Sequence, residues 1–258
     1  MELLIIALVA FGASMLTFFS GFGLGTILTP FFILSFPTPI AIALTAIVHL
    51  LNNLFKLSLI GRHINYKILG LFGIAGVVSA IAGAYCLDFI NNEKIAYNYI
   101  VYSKTIEVSW INLVIGFLFI IFAALEIIPE GKKRLAINKA SLIFGGLTSG
   151  FFGGLSGHQG ALRSIFLLKY GLSKEAFIAT GVGIACFIDI GRLAVYTENN
   201  IAVINSSSTP LLLTAIIAAF SGALLGKQFL KKITLRSINI TVGVLIALVG
   251  LCMILGFI

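Results

Sequence analysis

Arg163 is the charge with the most chemistry to offer, because it stands in the middle of a short apolar run, three residues after Gly160. An arginine at membrane depth is costly and normally faces a cavity or a partner. Its guanidinium fork suits an oxyanion with two or more acceptor oxygens. The structural alternative is an arginine that snorkels to an interface. Just upstream, Ser156, Gly157, His158 and Gly160 form a glycine break, and a similar cluster at Gly21, Gly23 and Gly25 lies about 135 residues earlier. Glycines let a backbone approach a ligand closely, and a helix starting at such a break presents unpaired N–H groups and a positive dipole end to an anion. The plainer reading is that these glycines serve only helix packing. His158 is a further donor or titrating group at the break, or else a hydrogen-bonding cavity residue. Asp189 and Arg192 stand three apart on one helix and can pair, as a neutralised structural pair near the outer end or as a gate with a proton site. Lys56 occupies nearly the equivalent place in the first half, as an inner-vestibule cation or a snorkelling residue.

The elements that must carry these residues are apolar throughout. Of 258 residues 59% are hydrophobic and 10% charged, and the mean hydropathy is +1.12. A soluble domain carries about 25% charged residues, so this chain cannot cover a water-facing surface. The first run, 3–20, follows Glu2 rather than a basic region and has no small-residue cleavage site, so it reads as a span and not a leader. The net charge of +8 sits in short clusters between apolar runs, the pattern of cytoplasmic loops and not of a nucleic-acid surface. Cys86, Cys186 and Cys252 fall in apolar sequence at unrelated spacings, with no metal signature and no disulfide framework. No metal, cofactor or catalytic group is expected.

Apolar segments run at 3–20, 22–36, 39–60, 67–90, 110–128, 139–153, 158–169, 173–196, 209–230 and 238–258. A full span needs about 20 residues, so the second and seventh are short and read as broken or re-entrant half-helices. Counted as crossings, they place Arg62, Lys67, Lys132, Lys133, Arg134, Lys139, Lys169, Lys174, Lys227, Lys231, Lys232 and Arg236 on one side. Only Lys94 and Lys104 then lie opposite, so the positive-inside rule puts both termini outside. Five crossings per half invert the halves. The loop 61–66 holds Arg62, whereas its counterpart 196–201 has Glu198 instead. The expected architecture is an all-α polytopic membrane protein of 8–10 segments. Two inverted repeats make it up, 1–128 and 139–258, joined by a basic linker at 129–138. A duplicated, glycine-broken apolar segment is the sequence pointer to the binding site of a secondary transporter.

The motifs carry a resemblance. Gly21-Phe22-Gly23-Leu24-Gly25 leads to Pro30, then a helix with Ala41 and Thr45, then Gly61-Arg62-His63, then the duplicate from Gly150 to Phe166. In this order and spacing the chain resembles the sulfite exporter TauE/SafE family of bacterial membrane permeases over almost its whole length. The resemblance implies carriage of a small sulfur-containing or organic anion across the plasma membrane, such as sulfite or an organosulfonate. His158, Gln159 and Arg163 depart from the glycine-rich pattern and are expected to tune the substrate. Uptake of an anion against the membrane potential would require a coupling proton or sodium ion, whereas export could run uncoupled. An anion channel is the rival within transport, since glycine-rich half-helices also build pores. Gly154-Leu155-Ser156-Gly157 matches a short motif of rhomboid-type intramembrane proteases, with His49 and Asn53 like their oxyanion-side pair. That chemistry needs a histidine base on a later helix, and the one histidine after Ser156 is His158, two residues away.

Overall fold

The computed structural model describes residues 1–20, 23–92, 95–102, 104–127, 138–200, 208–228 and 235–258, with backbone only at a few helix ends. The described residues form ten α-helices: α1 (Glu2–Ser20), α2 (Leu24–Ile33), α3 (Thr38–Ile60), α4 (Tyr66–Asn92), α5 (Trp110–Ile127), α6 (Lys139–Ser156), α7 (Gly160–Leu168), α8 (Lys174–Asn200), α9 (Ser208–Gln228) and α10 (Leu235–Ile254). Five of them, α3, α4, α5, α8 and α9, are long and apolar enough to cross a membrane. The protein is an all-α polytopic membrane protein, and α2 and α7 are its short helices. Leu8, Ile74, Phe89, Phe117, Ile217 and Leu248 lie more than half exposed, as lipid-facing side chains must.

Local chemistry sets the short elements. Pro30 lies inside α2 and removes one backbone donor there, and α2 ends at Ile33. Pro37 and Pro39 then frame the start of α3, where a missing donor does no harm. Asn138 caps α6, its side chain accepting from the Ser141 amide. At the other end Gly157 adopts φ +81°, a left-handed stop that a side chain would strain. Its amide donates to the Gly153 carbonyl, so the chain turns sharply before α7.

Helices pack through glycine stripes. α4 lies on α6 and α1 on α9, while α5 pairs with α10 and α3 with α8. A methyl group placed on Gly154 would sit 2.1 Å from the Ala80 carbonyl oxygen, and one on Gly150 2.1 Å from that of Gly76. The same holds on the α1–α9 seam, where a methyl on Gly222 would lie 2.2 Å from the Phe11 carbonyl oxygen. Small residues thus serve close backbone approach.

One element has no counterpart in the sequence expectation. Two strands, β1 (Tyr97–Val101) and β2 (Lys104–Val108), pair antiparallel as a hairpin, with Tyr97 opposite Val108. Its tyrosines tie down the end of the chain. The Tyr97 and Tyr99 hydroxyls donate to the carbonyls of Ile254 and Leu255. The basic linker expected at 129–138 lies almost wholly outside the described residues, as do Lys231 and Lys232.

Candidate functional site

Part of the candidate set converges where the two glycine breaks meet in the interior. Gly25, in the first turn of α2, faces the turn between α6 and α7: a methyl on it would lie 3.5 Å from the Gly157 carbonyl oxygen. α2 and α7 begin without a side-chain cap, at Gly23 and Gln159. Their leading N–H groups are left to whatever else approaches them. Gly160 opens α7 and is buried. Gly21 lies outside the described residues.

Against these breaks α8 brings Asp189 and Arg192, and α3 brings His49. All three are at most 2% exposed. Asp189 Oδ1 lies 2.7 Å from Arg192 Nη2 and accepts from Arg192 Nε at 3.0 Å and from Gln159 Nε2 at 2.9 Å. Asp189 Oδ2 lies 2.6 Å from His49 Nδ1. Arg192 Nη1 donates to the Gly153 carbonyl, and the Tyr196 hydroxyl donates to that of Gly154. The pair therefore forms as its spacing allows, but in the middle of α8 and not at an outer end. It also ties α8 to the terminal carbonyls of α6.

Arg163 is 3% exposed, so it does not snorkel. Its Nη1 donates to Gln159 Oε1 at 3.1 Å, and through Gln159 it is linked to Asp189. Lys56 is 2% exposed and likewise stays inside, its Nζ donating to Thr17 Oγ1 at 3.3 Å and lying 5.6 Å from the Phe18 ring centroid. The reason is reach: α1 covers α3 at that level through Phe18, and Phe18 itself is fully buried. Two arginines thus reach Asp189, Arg192 directly and Arg163 through Gln159, while Lys56 stays apart at Thr17.

His158 and Ser156 turn elsewhere. The His158 ring stacks on Phe122 at 5.2 Å and tilts against Phe119 at 4.5 Å, both on α5, with Nδ1 2.9 Å from the Ser156 carbonyl oxygen. The neighbouring residue, Gln159, is the one that enters the charged network. The Ser156 hydroxyl donates to the Phe152 carbonyl, and among the described residues no histidine nitrogen contacts it. That is not the geometry of an activated serine.

Sequence reasoning gave Gln159 a part in tuning the substrate and noted His49 without placing it at the glycine breaks. Asn53, whose Nδ2 lies 3.2 Å from His49 Nδ1 and 3.3 Å from Nε2, gave no separate signal beyond its position one turn from His49. Among the described residues no group of three or more His, Cys, Asp or Glu could hold a metal.

The chain matches the family described as Sulfite exporter TauE/SafE over residues 6–253. No curated protein matches the chain significantly.

Proposed function

We propose, for a chain that belongs to the sulfite exporter TauE/SafE family, that the junction of the two glycine breaks is the anion site of a permease. The family is one of membrane transporters, and the proposal concerns what is carried and how. The observation that carries it is the meeting of two uncapped helix starts, Gly25 close to Gly157, beside the buried arginines Arg192 and Arg163. An anion at this junction is attracted by both arginines in an interior that screens charge weakly. Helix N-termini add donors fixed in direction, and the arginine forks favour ligands with several equivalent oxygens. A small sulfur-containing or organic anion, such as sulfite or an organosulfonate, meets these conditions.

The packing supports a duplicated architecture. α1 packs on α9 as α6 packs on α4, which is one relation with the halves exchanged. Lys56 reaches Thr17, and Arg192 reaches Gly153. Residue 192 follows 56 by 136 positions, as 153 follows 17. We read 1–128 and 139–258 as inverted repeats joined by the linker 129–138. Both termini are then outside a bacterial plasma membrane, and access alternates around the central junction. Lys56 and Arg192 are the matched pair through which each half would open.

The test is thermal stabilisation and counterflow of purified protein with sulfite, thiosulfate, methanesulfonate and short carboxylates. Saturable exchange of a labelled anion is expected, whereas a channel would give none. Arg163→Ala is expected to lose about 2–5 kcal/mol of anion affinity, and Arg163→Lys to lose less because it keeps the charge without the fork. Folded Arg163→Ala with unchanged affinity would move the site to Arg192.

A further inference from the structure

His49 turns its two ring nitrogens to different neighbours. Nδ1 lies 2.6 Å from Asp189 Oδ2. Asp189 is ion-paired with Arg192, and an ionised carboxylate only accepts, so the proton of that contact belongs to Nδ1. Nε2 faces the start of α2: a methyl group on Gly23 would lie 2.8 Å from it, and Cδ2 of the same ring is 3.9 Å from the equivalent point on Gly25. The neutral ring therefore aims a lone pair at the first turn of α2, where an anion would sit. Asn53 Nδ2 lies 3.2 Å from Nδ1 and 3.3 Å from Nε2, beside the ring and out of line with that lone pair. Protonated, Nε2 becomes a donor and the ring gains a positive charge.

We propose that His49 couples a proton to the anion: both bind together, the proton on Nε2, and both leave together. The inference rests on the central anion site proposed above. The surrounding charges explain why neither should bind well alone. α8 presents Asp189 and Arg192 to His49, the α6–α7 turn presents Gln159, and α7 presents Arg163. The described start of α2 presents glycines and no titratable group, and Lys56 stands two turns away on α3 at Thr17. Burial opposes a further positive charge on the ring, Arg192 and Arg163 add to it and Asp189 offsets part of it, and an anion in the first turn of α2 supplies the compensating charge. By the same interaction the protonated ring strengthens anion binding, as linkage requires. In the transport step one N–H bond forms at Nε2 on loading and breaks on release, while the Nδ1 proton stays on Nδ1, donated to Asp189 throughout. A monoanion travelling with one proton carries no net charge, so the pH gradient drives it and the membrane potential does not.

The experiment uses the full chain in proteoliposomes with labelled sulfite, thiosulfate and methanesulfonate. Wild type is expected to accumulate at least one of them several-fold under an imposed pH gradient. His49→Gln is expected to retain part of the self-exchange of the same anion, weakened by the lost donor, while losing the gradient-driven accumulation altogether. A merely structural histidine would lower both together, and that result overturns the inference, as does undiminished accumulation in His49→Gln. Sulfite can carry a proton passively, but equally in both proteins, so the comparison holds for it too. Should His49→Gln fail to fold, calorimetry of wild type in two buffers of different ionisation heat decides. Proton uptake on binding that falls in Gly23→Ala, whose methyl displaces the ring, supports the coupling, whereas zero uptake, or uptake unchanged in that variant, overturns it. No exchange by wild type with any probe removes the anion-permease reading itself, and the inference with it.

Discussion

Asp189 and Arg192 hold each other in a place where neither is tolerated alone. Both are 0% exposed, and truncating one member of a buried ion pair typically costs about 3–5 kcal/mol because the other charge is stranded. Asp189→Asn is therefore expected to lower the thermal midpoint in detergent steeply. Arg192→Lys should lose less: an ammonium keeps the charge but cannot serve Asp189 and the Gly153 carbonyl in the fork's geometry. The glycines at the break divide by what surrounds them. A methyl on Gly25 meets Gly157 and Thr45 at 3.5 Å, an ordinary contact, whereas one on Gly23 would push the His49 ring. Gly25→Ala should fold and transport close to wild type, and Gly25→Leu should block transport. Gly23→Ala should impair the site without unfolding the chain. Transport assays beside size-exclusion profiles separate these outcomes.

At the scale of elements, the α4–α6 seam fixes where the α6–α7 turn can be. Gly150 and Gly154 put the two backbones in contact along it, and in membranes such packing replaces the hydrophobic drive that lipid removes. Gly154→Ala forces a methyl onto the Ala80 carbonyl, and overpacking of this kind costs about 1–3 kcal/mol. The variant is expected to unfold at lower denaturant and to lose transport through the displaced turn, although no substrate-facing group has changed. An alanine at Gly12, which meets nothing within 4 Å, is the control and should behave as wild type. The short helices were readable as short because glycine breaks and prolines bound them. The hairpin was not, since its five-residue strands carry mixed polar and aromatic residues between charged positions, too short a pattern to show a period of two.

For the whole molecule, the hairpin and the C-terminus share one face through Tyr97 and Tyr99. With the termini outside, Tyr102, 99% exposed at the hairpin tip, is outside as well. A Tyr102→Cys variant lacking the three native cysteines should react with a membrane-impermeant maleimide on intact cells. Alkaline-phosphatase fused after Ile258 should be active. Labelling only after permeabilisation, with an inactive fusion, would refute the orientation and with it the inversion argument.

Composition and the spacing of apolar runs determined that the chain is a helical membrane protein, because lipid demands long apolar segments whose backbone bonds close internally. The order of the glycine motifs pointed to the family, and the duplication pointed to the region of the site. Which side chains meet there was decided only by tertiary structure. His49 and Asp189 are 140 positions apart in sequence, and their contact depends on α3 lying against α8. His158 and Gln159 are adjacent in sequence, yet the left-handed turn at Gly157 leads one towards the phenylalanines of α5 and the other towards Asp189. Lys56 has the length to snorkel, but α1 covers it. Sequence fixes each residue's depth and chemistry; the direction in which it points depends on neighbours far along the chain.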